Sequence, residues 1–393
     1  MSYIIFGDTF SFPEGGAATN RALNYAKGFK INNMNVDIIC FDNEYLEHHS
    51  GIYEGINYYH PLGQTKRNKN IVKRNWYKFL KYFKTFQLIK SIRYKEKISA
   101  IHCYTSSLRT QLFAFSLARF YKTKFILERG EHPLQSFTDS FFKQIQGSLR
   151  VKVDSKLSDS IFCISNYLVN FYFERGVKLQ KLFLIPSTVD TERFNNKLNP
   201  PLSFDYILYC GGLTAYKDGI NILIESFSRI YDKFQNINLV LIGKSDTLEE
   251  ELFFKGLVEK LNITERTFFL GELPRKEIPA YLCNAKILSL ARPKSMVADA
   301  GFPSKLTEYL ATGNPVIVTE VGDIPLYLFD NKNAFLAKPD SIDSFTQKLD
   351  YVLSNYKFAQ QVGLNGKKLT SSVFNYKFQA LRIIDYLNSG QFR

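Results

Sequence analysis

The chain predicts an α/β protein made of two doubly wound, Rossmann-like domains, and three observations carry that expectation. Short apolar runs alternate with longer amphipathic ones, the interval of strand, crossover helix and parallel strand. The alternation stops at a proline pair, Pro200 and Pro201, and then starts again. At 393 residues and 45.4 kDa the chain also exceeds the roughly 250 to 300 residues over which one hydrophobic core keeps growing.

The elements of the first half follow in order. Strands are expected at YIIF (3–6), VDIIC (36–40), INYYHPL (56–62), AIHCY (100–104), KFIL (124–127), SIFCIS (160–165) and LFLIP (182–186). Between them lie a helix from about Ala17, a long basic helix, and a helix through 113–120. The stretch NNKLNPPLSFDY, from Asn195, has no periodicity and reads as the linker between domains 1–195 and 203–371.

The second half repeats the scheme with strands YILYCGG (206–212), NLVLIG (238–243), TFFLG (267–271), KILSLA (286–291) and AFLAK (334–338), and helices from about Gly219 and over 249–260. Its clearest unit is 301–319. Pro303 opens a helix, Leu306, Tyr309 and Leu310 recur at core-facing spacing, and Gly313 closes it. Pro315 then leads into Val316, Ile317 and Val318, a strand buried on both faces.

Composition bounds the class. A hydrophobic fraction of 45% with 22% charged residues is that of a globular protein and excludes a disordered one. Cys40, Cys103, Cys163, Cys210 and Cys283 are odd in number and sit in apolar runs, which reads as small buried hydrophobes in a reducing compartment. The start, MSYIIFGD, lacks the basic region of a signal peptide, and no run of about 18 apolar residues occurs, so a cytoplasmic protein is expected. The net charge of +14 is uneven: residues 1–200 carry 29 Lys and Arg against 16 Asp and Glu, the remainder 22 against 21. An anionic partner is therefore expected to meet the N-terminal half.

Four places carry candidate chemistry. Gly211 and Gly212 follow a strand and precede a helix, so the backbone can approach a ligand closely, the helix start offers N–H groups to an anion, and Lys217 adds a charge. A tight turn with a solvated lysine explains the same residues. Gly15 and Gly16 stand in the equivalent place after the first strand, where a plain helix entry is the alternative. Neither pair belongs to a G-x-G-x-x-G fingerprint. FILERGEHPLQ ends a strand with Glu128, Arg129, Glu131 and His132, a loop suited to orienting a substrate and to proton transfer, or a surface ion-pair cluster. Residues 66–97 carry twelve Lys or Arg against the one Glu96. There Val72, Trp76, Phe79, Leu80 and Phe83 recur at helical spacing among Lys73, Lys78, Lys81 and Lys84, which fits a helix lying on an anionic membrane or a core-packing helix with a solvated face. No nucleic-acid-binding motif accompanies it.

The segments YCGGLTAYKDG, LIGKSD, FLGELPRKEIPAYLCNAK and FPSKLTEYLATGNPVIVTEVGDIP, in that order, resemble the nucleotide-sugar domain of retaining family 4 glycosyltransferases of the two-domain GT-B fold. CISNYLV followed by LIPSTVDTERF resembles the end of that family's N-terminal domain. The resemblance implies that Lys217 contacts a donor diphosphate, that Glu308 accepts from the donor ribose hydroxyls, and that backbone around Leu270, Gly271 and Glu272 frames the base. Two positions depart from the family pattern. The first glutamate of its paired motif is Ala300 here, with Asp299 beside it, and the arginine that usually precedes the lysine is missing from Gly211, Gly212 and Leu213. Lys305, or Lys294 and Arg292, are the candidates to replace that charge.

The fold this implies is two domains facing across a cleft, with C-terminal helices at about 372–393 packing back on the first. The activity it implies is transfer of a sugar from a nucleotide diphosphate sugar to a lipid-linked saccharide, with retention, and the basic helix places the protein at the inner face of a membrane. Neither metal nor other cofactor is expected, since no Asp or His cluster has ligand spacing. Two other classes fit parts of the chain: a non-catalytic binder of the same fold, and a nucleic-acid-binding protein using the basic helix.

Overall fold

Fourteen strands form two sheets among the described residues, which in this computed structural model are all but 42–47, 64–68, 134–140, 195–197 and 390–393, with side chains of 141–148 also left aside. Lys66 to Asn68 of the basic stretch and Asn195 to Lys197 of the expected linker thus lie outside the described residues.

The first sheet holds β1 (Ser2–Gly7), β2 (Asn35–Cys40), β3 (Ser50–Tyr53), β4 (Ile56–Tyr59), β5 (Ile98–Tyr104), β6 (Lys124–Arg129), β7 (Ser160–Cys163) and β8 (Leu182–Leu184) in the order β3-β4-β2-β1-β5-β6-β7-β8. All neighbours are parallel except β3 and β4. The hairpin between those two turns on Glu54 and Gly55, both at positive φ (47° and 73°), the turn whose twist matches its strands. The sequence reading missed β3, because its four residues carry no apolar alternation of their own.

Strand β1 shows why these runs are continuous and not alternating. Tyr3 and Ile5 enter a core under the helix Ala17–Ile31 and the C-terminal helix Tyr376–Asn388, while Ile4 and Phe6 enter a second core with Ile89, Ile92 and Phe125. Both faces are covered, so both parities are apolar. The C-terminal helix lies so close to Ala17–Ile31 that a Cβ on Gly28 would stand 2.4 Å from the Ala380 Cβ. Tyr386 adds a bond to Ser160 at 2.9 Å.

The second sheet holds β9 (Asp205–Cys210), β10 (Ile237–Ile242), β11 (Thr267–Gly271), β12 (Ile287–Leu290), β13 (Val316–Thr319) and β14 (Phe335–Ala337), all parallel, in the order β11-β10-β9-β12-β13-β14. The chain divides into two compact units, Met1–Pro186 with Tyr376–Arg393, and Ser187–Asn375. The boundary expected at Asn195 falls instead at Pro186. Beyond that proline the Val189 N–H bonds the Phe374 carbonyl at 3.0 Å and Phe194 is buried, which ties the segment to the second unit.

In each sheet, sequential strands run outward one way and then the other, so the order reverses between β9 and β12 in the second unit and between β1 and β5 in the first. Ligands of open α/β sheets bind at the carboxyl ends beside such a reversal.

Candidate functional site

In the second unit the carboxyl ends of β9, β10 and β11 are stitched together by glycines. The Gly211 N–H bonds the Ile242 carbonyl at 2.9 Å and the Gly243 N–H bonds the Gly271 carbonyl at 2.8 Å. At Gly243, φ is +130° and a Cβ would stand 1.8 Å from the Gly211 carbonyl oxygen, so only glycine fits. Around Gly212 and Gly271 the space is open. Leu270, Gly271 and Glu272 thus stand at this rim, with Glu272 and Lys244 paired in solvent at 2.8 Å.

Lys217 lies where the sequence suggested a loop, yet it sits on a one-turn helix, Ala215–Asp218. Gly219, at φ +69°, joins that turn to the helix Ile220–Ile230, and a Cβ there would meet the Ala291 carbonyl oxygen at 1.9 Å. The N–H groups expected to await an anion are partly engaged within the protein. Ala215 donates to the Glu250 carboxylate at 2.9 Å and Ile220 to the Thr214 carbonyl at 3.3 Å.

The helix Ser304–Thr312 brings Lys305 and Glu308 to the same strand end. Its Leu306, Tyr309 and Leu310 are buried, and Gly313 closes it in the left-handed conformation at φ +83°. The Tyr309 hydroxyl grips the Cys210 backbone, accepting from its N–H at 2.8 Å and donating to its carbonyl at 3.2 Å. Burial, with Glu308 nearby, pushes the Cys210 thiol up to about 12, against the pull of Lys305 and Arg193. Those four side chains therefore share one small region.

Lys305 is held by the protein itself. Its ammonium pairs with the buried Asp218 carboxylate at 2.9 Å and donates to the Tyr209 hydroxyl at 2.5 Å. It occupies the space that a Cβ on Gly211 (φ +154°) would need, and burial lowers its pKa against the opposing pull of Asp218. Glu308 accepts a hydrogen bond from Arg193 Nη1 at 2.7 Å. Sequence reasoning missed Arg193, Tyr309, Tyr209 and Asp218, although all four stand inside the segments that carried the resemblance. Their partners are up to 115 residues away, a pairing that no local pattern signals.

At the position of the absent first glutamate, Ala300 is fully buried, and the neighbouring Asp299 carboxylate accepts from the Gly322 N–H at 3.3 Å. Lys294 uses its backbone N–H on Asp340, and the buried Arg292 accepts from Thr319 at its carbonyl, 2.6 Å away.

The first unit holds the remaining candidates. Gly15 is pressed against Thr19, where a Cβ would stand 2.1 Å from the hydroxyl oxygen, whereas Gly16 borders open space at the start of Ala17–Ile31. Both stand after β1, beside the reversal. The cluster read at 128–132 is split by the structure. Glu128 and Arg129 are strand residues of β6, buried in two ion networks, and belong to no loop. Glu128 binds Arg21 at 2.7 Å and His102 at 2.9 Å. Arg129 binds Asp154 at 2.8 Å, and Asp154 also accepts from Arg150, Tyr172 and Gln111. Alternation explains the split: strand side chains point into the sheet's two covered faces, and only residues past Arg129 reach the rim. Glu131 is exposed there, and His132 is buried edge-on against Phe171, ring centroids 4.7 Å apart, with Tyr167 at 5.7 Å. Burial, then Arg175, lowers its pKa.

The basic helix is Ile71–Lys95, capped by Asn70. Its core face holds Thr85, Ile89 and Ile92, about half a turn away from the stripe of Val72, Trp76, Phe79 and Phe83. That stripe faces solvent, with exposures of 78%, 60%, 65% and 52%. Leu80 is half-buried, and Lys73, Lys78 and Lys84 are exposed while the Lys81 ammonium lies 4.1 Å above the Phe41 ring. No helix is long and apolar enough to cross a membrane among the described residues.

Comparison with known proteins bears on the family and the fold. Residues 190–369 match the family model of glycosyl transferases group 1. The chain is 25% identical over 269 residues to a phosphatidylinositol N-acetylglucosaminyltransferase subunit of Arabidopsis thaliana, covering 66% of this chain and 55% of that protein. The chain thus spans about half the length of that relative. Among solved structures, sucrose-phosphate synthase from Thermosynechococcus elongatus superposes with a TM-score of 0.76 at 17% identity, covering 99% of each chain. HepE of Anabaena, in complex with UDP-glucose, superposes with a TM-score of 0.74 at 14% identity over 98% of this chain and 99% of its own. Residues 190–369 therefore match the group 1 glycosyltransferases, and the chain as a whole has the two-domain GT-B fold of solved glycosyltransferases.

Proposed function

We propose that the protein transfers a sugar from a nucleotide diphosphate sugar to a lipid-linked saccharide acceptor, with retention at the anomeric carbon. The observation that carries this reading is the convergence of Gly211, Lys305 and Glu308 at the carboxyl end of β9, beside the turn bearing Lys217, at the strand-order reversal. Lys217 would meet the diphosphate as negative charge grows on it in the transition state, which makes it the catalytic cation. Glu308 would accept from the ribose hydroxyls, and backbone at Leu270, Gly271 and Glu272 would frame the base. Lys305, its charge balanced by Asp218, would fix the glycine turn at Gly211 where the family's arginine is absent.

In the first unit, Gly15 and Gly16 are assigned to close backbone approach to a ligand, and Glu131 and His132 to the acceptor. The lowered pKa keeps His132 neutral near pH 7, the form able to take a proton. The exposed aromatic stripe and lysines of Ile71–Lys95 are assigned to an anionic membrane surface at the cytoplasmic face. Ala300, a buried methyl in place of a carboxylate, favours one second reading, a non-catalytic nucleotide-sugar binder. Donor binding without turnover would select it.

Purified protein screened against nucleotide diphosphate sugars tests the proposal. Lys217→Ala is expected to lower turnover by about 10² to 10³, while Glu308→Gln mainly raises the donor KM. Wild-type rates for both variants at subsaturating donor would overturn it.

A further inference from the structure

Between β8 and β9 the chain makes a short 3-10 turn, Thr191–Phe194, whose residues divide three tasks. Asp190 caps it, accepting from the Glu192 N–H at 3.1 Å. Phe194 is its buried anchor at 4% exposure. Arg193, between them, is held away from solvent with its guanidinium on Glu308 Oε1 at 2.7 Å and a second contact, from Nη2 to the Arg275 carbonyl, at 3.5 Å. The pair is largely desolvated, with side-chain exposures of 18% and 19%, where a charge-assisted bond is stronger than at an open surface.

We infer that Arg193 is the positioning residue of the ribose-reading carboxylate, an inference that rests on the donor-site reading of Glu308. A glutamate has three side-chain torsions, and one standing alone at a helix surface would sample several rotamers before meeting a hydroxyl. Arg193 takes one carboxylate oxygen and fixes the plane of the group. Paired with a guanidinium, the carboxylate serves purely as an acceptor. The remaining oxygen is left oriented toward hydroxyl donors, so the site gains its preference for a ribose from a residue that never touches the donor. The second contact of the guanidinium is to backbone, at the Arg275 carbonyl.

The test is calorimetric titration of the full chain with UDP, GDP and ADP and with their 2′-deoxy and 3′-deoxy counterparts. Wild type should bind the cognate ribonucleotide about tenfold more tightly than a deoxy form. Arg193→Ala should lose about that factor for the ribonucleotide alone, so that ribo and deoxy forms bind alike, and Arg193→Lys should recover part of the preference. Glu308→Gln should show the same loss, and the double variant should be no weaker than either single one. A lower thermal midpoint for Arg193→Ala with the ribose preference intact, or tighter nucleotide binding by it, would overturn the inference while leaving the donor site standing. An unchanged ribose preference in Glu308→Gln, or no binding of any of the three nucleotides, would sink the donor-site reading and this inference together.

Discussion

His132 shows how burial can prepare a side chain for chemistry and tie it to stability at once. Its imidazole is packed against Phe171 and Tyr167, and burial followed by Arg175 lowers its pKa. The unfolded chain protonates at about 6.5, before the folded one does. The stability His132 contributes is thus fully present above that value and is lost as pH falls through the lower folded pKa. His102, its pKa lowered by burial although Glu128 opposes the shift, acts in the same direction. The thermal midpoint of wild type is expected to fall between pH 7.5 and 5.5, and His132→Phe, which preserves the aromatic packing, should remove part of that fall and leave the part due to His102. In the same variant, transfer should drop by about 10² to 10⁴ with donor binding unchanged. Activity per folded molecule at the wild-type level would make the histidine structural.

At the scale of the element, the helix Ile71–Lys95 is the part of the molecule whose polarity is reversed. Its C-terminal half packs Ile89 and Ile92 into the first unit, and its N-terminal half turns Val72, Trp76, Phe79 and Phe83 outward. Vesicles containing anionic lipid are expected to bind the protein and to release it as salt rises, since each lysine at such a surface is worth about 1 kcal/mol and the attraction is screened over roughly 8 to 10 Å. Replacing Lys73, Lys78 and Lys84 by Gln should weaken binding without altering donor affinity. Lys81 is the less clean substitution, because its ammonium also packs over Phe41. Trp76→Ser with Phe79→Ser should remove the binding that persists at high salt. Equal association with neutral and anionic vesicles would leave the helix as a solvated face.

At the scale of the whole molecule, the chain divides into two compact units, so damage inside one is expected to stay there. Asp154 is fully buried and balances Arg129 and Arg150, so Asp154→Leu strands two guanidinium groups in a dry interior. Removing one partner of a buried ion network costs about 3 to 5 kcal/mol. Hydrogen exchange should show amides of β5, β6 and β7 losing protection while those of β9, β10 and β12 keep theirs. Uniform loss over both sheets would mean that the two units unfold as one.

The sequence by itself determined the two largely parallel sheets, because a strand covered on both faces is apolar at successive positions, as YIIF, the LVLI of NLVLIG and the VIV of VIVT are. It also determined the helix carrying Lys305 and Glu308, since its proline, apolar spacing and final glycine are local signals. Local signals end where side chains meet across the chain. Only the tertiary structure decided that Lys305 is engaged by Asp218, that Glu128 and Arg129 are buried in ion networks, that the aromatic stripe of Ile71–Lys95 faces outward, and that Arg193 reaches Glu308. Each depends on contacts between residues far apart in sequence or on which face a neighbour covers, and neither is written in the spacing of residues along one segment.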